Sequence, residues 1–265
     1  MNIDLIAENI QLFLLVFARI FALLSVAPLL SSAAIPGPAR VGLCLLTAVI
    51  VFPWIADDGY PMPPQALGFI FLLVGEVLIG LIIGFLLNLI YTAFLVAGQY
   101  FSFQMGFGAS QVYDPMAQVQ IPLLGQFFNM IAMFVFLITG GFQRLFLIGV
   151  LRSFEVMRAV DVITHRQGVV DMVISGLSGL FENALIISFP ILGTLLLVSV
   201  SMGLLAKAAP QMNLLMLGFP LKIGVAFLMI MLTLPLLMAA FAQLIDASFL
   251  EIMRFFSDVE RGIVS

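Results

Sequence analysis

The stretch 67–97, LGFIFLLVGEVLIGLIIGFLLNLIYTAFLVA, is a long apolar segment near the middle of the first half of the chain. A helix of about 20 apolar residues crosses the hydrocarbon core of a bilayer, so this segment is long enough to span it. Small and polar residues recur in it at steps of four: Glu76, Gly80, Gly84 and Asn88. That spacing places them on one narrow stripe of a helix, where the glycines let another backbone approach closely.

Glu76 requires a partner, because a carboxylate facing lipid at this depth is costly. Arg19 lies near the middle of an earlier apolar segment, about 10–30, where a lone charge costs about 3 kcal/mol or more. We expect Glu76 to face either Arg19 of the same chain or a basic group of another subunit.

The composition of the whole chain agrees with a membrane protein. Of 265 residues, 63% are hydrophobic and only 9% are charged, and the mean hydropathy is +1.23. Glycine inside continuous apolar runs favours helices over a barrel, whose strands would alternate. The sequence therefore predicts an all-α, polytopic helical membrane protein, with about six long hydrophobic helices in hairpins, amphipathic helices and a plug-like loop.

Downstream of this segment, residues 98–122 read GQYFSFQMGFGASQVYDPMAQVQIP and differ from the apolar runs on both sides. Five glutamines and the pair Asp114-Pro115 accompany several phenylalanines and methionines. In a membrane chain, irregular backbone persists at depth only where protein or a water-filled cavity satisfies its polar groups. We interpret 98–122 as a loop inside a protein-lined space, a plug or constriction; an ordinary surface loop is the alternative.

The remaining apolar runs complete the expected set of helices. They cover about 10–30, 41–55, 123–140, with a break at Gly140-Gly141, 184–206 and 214–244. The charged region 151–182 is predicted to form two amphipathic helices with a turn near 165–168. The tail is predicted to form one more short helix. We expect a single domain, 1–265, with the parts 1–97, 98–122, 123–182, 183–243 and 244–265.

The sequence offers little for catalysis or for ligand chemistry. There is one histidine and one cysteine, too few for an ordinary His/Cys metal site, and no phosphate-binding glycine loop. We expect no catalytic, cofactor-binding or metal site, and, with a net charge of −4, no nucleic-acid partner. Single polar residues remain at apparent membrane depth: Arg19, Glu76, Asn88, Gln126, Asn129, Asn183 and Lys222. They are typical of subunit interfaces and pore linings, or of the proton relays of transporters.

Two motifs resemble a known family. One is Pro210-Gln211-Met212-Asn213 followed by Leu217-Gly218-Phe219-Pro220-Leu221-Lys222; the other is Gln104-Met105-Gly106-Phe107 with Asp114-Pro115 and Pro122. Weaker matches are Glu76 with Gly80 and Gly84-Phe85, 36–40, and Ser153-Phe154. Together they resemble the FliR proteins of the flagellar type III export gate, called SctT in virulence secretion systems. Two positions depart from that family: Lys207 stands where it more often has Arg, and Gly140-Gly141-Phe142-Gln143 stands where it often has His after the glycines.

The resemblance implies a non-enzymatic membrane subunit. FliR-like proteins join FliP and FliQ, with FlhB as a further partner, in a gate for unfolded flagellar proteins in the inner membrane at the flagellar basal body. It implies that a loop at 106–122 is the plug, with the site residues Met105, Gly106, Phe107, Gly108, Val112, Tyr113, Asp114 and Pro115. It also implies a subunit-packing hairpin that includes Pro210, Gln211, Met212, Asn213 and Lys222. Membrane lipid is a further expected contact.

Two other functions are compatible with the residues alone. A proton-coupled secondary transporter of a small solute would use Glu76 and Lys222 as relay residues. A pure scaffold would need the loop only for assembly.

Overall fold

The computed structural model describes residues 3–28, 30–31, 35–57, 59–60, 62–63, 65–106, 123–211 and 213–261. Within these ranges the regular structure is helical. The helices are α1 (Ile3–Val26), α2 (Gly37–Asp57), α3 (Ala66–Met105), α4 (Leu123–Ile138), α5 (Gly141–Arg144), α6 (Ser153–Val156), α7 (Ala159–Thr164), α8 (Arg166–Ala208) and α9 (Leu214–Glu260). A π-helical segment, Leu145–Arg152, joins α5 to α6.

The all-α class and the membrane-spanning character predicted from composition are confirmed. Of the helices in these described ranges, five are long and apolar enough to cross a bilayer: α1, α2, α3, α8 and α9. The broken pair Leu124–Ile138 and Gly141–Val156 makes a sixth if it counts as one span. The break falls at Gly140, as predicted, where a φ of 71° gives the left-handed conformation that glycine adopts without strain.

Three predicted boundaries were wrong, and in each case a helix continues further than expected. α3 extends to Met105, so 98–105 is helical rather than part of the loop. α8 is one helix of 43 residues, instead of an amphipathic helix ending near 182 and a separate span. α9 runs for 47 residues, so the expected separate helix in the tail is its last part.

A common physical reason explains the continuous helices. No proline or glycine lies between 236 and 260, so nothing in that part of the sequence ends a helix. Pro190, inside α8, removes one backbone donor without ending the helix. A change from amphipathic to apolar composition alters what surrounds a helix, but it does not interrupt the backbone hydrogen bonds.

The chain forms two compact units. The first contains residues 1–90, 137–177 and 245–265, and the second contains 91–136 and 178–244. The core of the first unit is built around α1, where Leu15, Ile20 and Leu23 are fully or almost fully buried. In the second unit Tyr91 and Phe94 pack edge-to-face on Phe241, with ring centroids 5.6 and 4.2 Å apart.

Candidate functional site

A buried polar cluster lies inside the first unit, where α1 meets α3. Arg19 and Glu76 are both fully buried, and the Arg19 Nε donates a hydrogen bond to Glu76 Oε2. A buried carboxylate and guanidinium are tolerated together because each neutralises the other and fills its hydrogen-bonding positions. Of the two partners that the sequence allowed for Glu76, the structure therefore contains the one in the same chain.

The remaining donors of Arg19 reach the segment that follows the π-helical turn. Its Nη1 donates to the Ser153 hydroxyl at 3.3 Å and its Nη2 to the Met157 carbonyl oxygen at 2.7 Å. The guanidinium also lies 3.9 Å from the centroid of the Phe154 ring, which is cation–π distance. Arg19 thus joins α1 to α3, to α6 and to the residue after α6.

Tyr60, in the connection between α2 and α3, completes the coordination of Glu76. Its hydroxyl donates to Glu76 Oε1 at 2.6 Å and accepts a hydrogen bond from the Ala159 backbone N–H at 3.3 Å. Burial, assisted by the neighbouring Glu76 carboxylate, raises the pKa of the Tyr60 phenol well above its usual range. The phenol is therefore neutral at physiological pH and acts as a hydrogen-bond donor.

Gly80 and Gly84 bring the backbones of α1 and α3 together beside this cluster. A Cβ built on Gly84 would lie 2.7 Å from the Leu23 carbonyl oxygen, and one built on Gly80 would collide with the Arg19 carbonyl oxygen. The small-xxx-small pair therefore has the packing role that its spacing predicts. This close approach lets the buried Arg19 side chain reach Glu76 on the neighbouring helix.

The cluster is suited to holding helices together. Both oxygens of Glu76 accept hydrogen bonds, from Arg19 and from Tyr60. A proton-relay carboxylate must exchange protons with a mobile donor, and this arrangement offers Glu76 two fixed partners instead.

Asn88, on the same stripe of α3, is half-buried and takes part in a polar or electrostatic interaction within the chain. Among the described residues, no group of three His, Cys, Asp or Glu side chains is arranged to hold a metal ion.

The second unit contains the residues at which α3 ends and the predicted plug loop begins. Met105 is the last residue of α3 and is fully buried, and Gly106 follows with a φ of +94°. The Phe219 ring lies against Gly106 where a side chain would otherwise project. Further back on α3, a Cβ on Gly98 would lie 2.6 Å from the Gly125 Cα, so α3 and α4 are closely packed there. The other predicted plug residues lie outside the described residues: Phe107, Gly108, Val112, Tyr113, Asp114 and Pro115.

The predicted hairpin joins α8 to α9. Pro210, Gln211 and Asn213 are exposed, and Met212 lies outside the described residues. The Asn213 side chain accepts a hydrogen bond from the Met216 backbone N–H at 3.4 Å and so caps the start of α9. Lys222, two turns into α9, is half-buried.

Several residues of the buried cluster were not predicted from the sequence. Tyr60 was not among the residues predicted from the sequence, and Ser153 and Phe154 were noted only as part of the family resemblance. The Met157 contact is made by a backbone carbonyl, which carries no sequence signal. An indirect signal existed for Tyr60, because a tyrosine flanking a span commonly places its hydroxyl at the membrane interface.

Comparison with known proteins agrees with the resemblance. Residues 10–248 match the family described as bacterial export proteins, family 1. The chain is similar to the flagellar biosynthetic protein FliR of Bacillus subtilis, with 33% identity covering 82% of this chain and 84% of that protein. It is 31% identical to FliR of Borreliella burgdorferi, with 94% and 91% covered. It is also 28% identical to the surface presentation of antigens protein SpaR of Salmonella typhimurium, with 82% and 80% covered.

Proposed function

Because this chain belongs to bacterial export proteins, family 1, which its FliR relatives represent, we propose that it is a non-catalytic subunit of the flagellar type III export gate. In this proposal it forms a channel for unfolded flagellar subunits together with FliP and FliQ, with FlhB as a further partner. The gate lies in the bacterial inner membrane at the flagellar basal body. The loop 106–122 closes the channel at rest and moves when the machine engages a substrate.

The length of the exposed apolar surface along α8 is the observation that carries the proposal. Twelve large apolar side chains of α8 are exposed: Val170, Ile174, Leu177, Phe181, Leu185, Ile186, Phe189, Leu196, Leu197, Val200, Leu204 and Leu205. At 1.5 Å per residue, 170–205 is roughly 50 Å long in a straight helix. The hydrocarbon core of a bilayer is about 30 Å thick.

A bilayer alone does not cover such a surface. Fitting roughly 50 Å into a core of about 30 Å would need a helix tilt of about 55°, beyond the range of about 0–40° seen for membrane helices. On α9 the exposed large apolar residues run from Met216 to Leu236 and recur at Leu250 and Met253. We infer that other protein subunits cover part of these helices, as they would in an export-gate assembly.

Two further features support the flagellar gate. The two FliR relatives compared above are 33% and 31% identical to this chain. The proposed plug begins at a buried residue, Met105, and at Gly106, whose positive φ suits a change of chain direction. Met and Phe side chains in the loop can seal a pore and repack around different chains, because methionine is flexible and polarisable.

Co-purification tests the proposed assembly. The tagged chain, expressed with FliP and FliQ of the same bacterium, is extracted in mild detergent and weighed by native mass spectrometry. We expect one large, defined hetero-oligomer that contains this chain, FliP and FliQ. A stable monomer or homodimer without either partner would contradict the proposal. The chain expressed alone is the control for its own oligomeric state.

A further inference from the structure

A pocket lies in the first unit, at the end of α2. Its volume is about 410 Å³ and it opens to the surface. That volume is within the range of about 300–1,000 Å³ common for small-molecule sites. The lining consists of aromatic, aliphatic and charged residues: Trp54, Ile55, Gly59, Tyr60, Leu151, Phe154, Glu155 and Arg158.

The pocket lies at the end of the part of α2 that is long and apolar enough to cross a membrane. That part of α2 is Gly37–Ala56, so Trp54 is in its last turn and Tyr60 follows its end. Tryptophan and tyrosine are enriched at this level because their rings are apolar at one end and polar at the other. From this composition we infer that the pocket lies at the level of lipid headgroups.

A broad apolar face of α2 leads to the pocket. Its exposed members are Val41, Leu45, Leu46, Val49, Ile50 and Trp54, each more than 40% exposed. The face extends over about 13 residues, or roughly 20 Å of helix, which is more than one leaflet of the hydrocarbon core. Acyl chains lying along this face would place their headgroup against Trp54.

Charged side chains of both signs lie at and beside the described part of the pocket. Arg158 lies over the Tyr60 ring, 5.8 Å from its centroid, and Glu155 accepts a hydrogen bond from Arg152 at 2.8 Å. Arg152 also donates to Glu260 at 3.0 Å, so these four side chains carry two positive and two negative charges. Among the residues that the structure describes, the lining thus offers one cation, Arg158, and one anion, Glu155, which complement a zwitterion better than an anion.

The aromatic walls are held in place before any ligand binds. Tyr60 is fixed by its hydrogen bond to Glu76, and the Phe154 ring is fixed against the Arg19 guanidinium. Preorganised walls reduce the entropy lost on binding. The buried polar cluster therefore also shapes this pocket.

From these observations we propose that the pocket binds a phospholipid with a zwitterionic headgroup, of the phosphatidylethanolamine type. The lipid phosphate pairs with Arg158. The ammonium group lies between Glu155 and the faces of the aromatic rings, which attract a cation. The acyl chains follow the exposed face of α2.

Trp54 makes a direct test possible, because it is the only tryptophan in the chain. The full chain in detergent is titrated with phosphatidylethanolamine brominated near the headgroup, and separately with phosphatidylglycerol brominated at the same position. Bromine quenches tryptophan fluorescence at short range, so the quenching of Trp54 reports lipid in the pocket. We expect half-maximal quenching at a several-fold lower mole fraction of phosphatidylethanolamine than of phosphatidylglycerol.

Two variants assign the headgroup contacts. Arg158→Gln should raise the mole fraction of phosphatidylethanolamine that gives half-maximal quenching about tenfold. This is the loss of affinity expected when one charge-assisted hydrogen bond is removed. Glu155→Gln should retain phosphate binding and remove the preference for phosphatidylethanolamine over phosphatidylglycerol. Arg166→Gln is the matched control, because Arg166 is exposed and does not line the pocket; it should leave both titrations unchanged.

Equal quenching by the two lipids in the unaltered chain would overturn the proposal. It would also be overturned if Glu155→Gln left the preference intact, or if a folded Arg158→Gln chain, checked by circular dichroism, were quenched like the unaltered one. The test uses this chain alone, so its result is independent of whether the chain assembles with export-gate partners.

Discussion

Arg19 and Glu76 each occupy a position where a lone charge would be strongly unfavourable. Replacing Arg19 with Met leaves a buried carboxylate without its cation, and Glu76→Leu leaves the guanidinium without its anion. Removing one partner of a buried pair costs about 3–5 kcal/mol, whereas replacing both leaves no buried charge. We expect each single variant to lower the melting temperature strongly. The double variant should lower it by less than the sum of the two single decreases.

Cys44 provides the measurement for this double-mutant cycle. It is the only cysteine and it is buried, so a fluorogenic thiol dye reacts with it only as the chain unfolds. Arg152→Met is the control, since its pairs with Glu155 and Glu260 are exposed and such pairs contribute about 1 kcal/mol or less. If the decreases in melting temperature of the two single variants were additive in the double variant, Arg19 and Glu76 would stabilise the fold independently.

Tyr60→Phe tests the third member of the cluster. The substitution removes the hydroxyl that donates to Glu76 at 2.6 Å, and an unsatisfied buried group costs about 1–3 kcal/mol. Because the folded pKa of Tyr60 is raised, its contribution is fully present below the unfolded pKa of about 10 and is lost as pH rises above it. We expect Tyr60→Phe to melt at a lower temperature than the unaltered chain at pH 8.

Above pH 10 the difference in melting temperature between the two chains should become smaller, because the phenylalanine variant has no hydroxyl to ionise at that position. Thermal melts followed by circular dichroism measure both chains across this pH range. The other three tyrosines are common to both chains, so they cancel in the comparison. A difference in melting temperature that stays constant or increases above pH 10 would contradict the assigned role of the neutral phenol.

The packing of α1 against α3 depends on glycine at a position where alanine does not fit. Gly84→Ala would place a Cβ 2.7 Å from the Leu23 carbonyl oxygen, so the helices must separate. Gly42, in α2, has no atom within 4 Å of the same added carbon, and alanine there should gain about 0.5–1 kcal/mol from reduced chain entropy. We therefore expect opposite shifts: a lower melting temperature for Gly84→Ala and an equal or higher one for Gly42→Ala.

The same Cys44 dye assay measures both glycine variants. A similar shift for Gly42→Ala and Gly84→Ala would mean that helix propensity, and not the contact between the two helices, determines the effect of alanine. It would also weaken the interpretation of the Gly80 and Gly84 pair as the site of closest helix approach.

The plug role proposed for 106–122 predicts a change in permeability. Replacing 107–122 with a short Gly-Ser linker removes the proposed seal and retains Gly106 and its contact with Phe219. In cells that make the complete complex, we expect uptake of small ions and of a normally excluded dye. A complex of normal mass with unchanged permeability would leave the loop with an assembly role only.

A second variant separates the sequence of the loop from its length. A Gly-Ser loop of the original length keeps the connection but removes the Met and Phe side chains expected to form the seal. We expect it to leak as the short linker does. Leakage from the short linker alone would mean that loop length, and not side-chain packing, closes the channel.

For the molecule as a whole, composition was sufficient to predict the class of fold, and sequence periodicity was sufficient to predict one face of α3. The spacing of Glu76, Gly80 and Gly84 predicted a stripe that meets another helix, and that helix is α1. Composition did not predict that α8 and α9 continue past the apolar runs, because helix continuity depends on the absence of stop signals. The contacts of Tyr60 and of the Met157 carbonyl join residues 16 and 138 positions from their partners, and no local pattern encodes such distances.

The length of the exposed apolar surface on α8 leads to the last prediction. In a Cys44→Ala background, single cysteines at exposed positions 174, 189 and 204 cover roughly 45 Å of helix, against about 30 Å of hydrocarbon. When the chain is alone in a lipid nanodisc, position 174 or 204 must extend beyond the hydrocarbon core and react with a water-soluble maleimide. In the assembled complex, partner subunits should cover that position and suppress the reaction. A cysteine at Leu180, which is 6% exposed on the same helix, should stay unreactive in both states. If all three exposed positions were already protected in the nanodisc, the bilayer alone would cover α8, and this surface would give no reason to expect partner subunits.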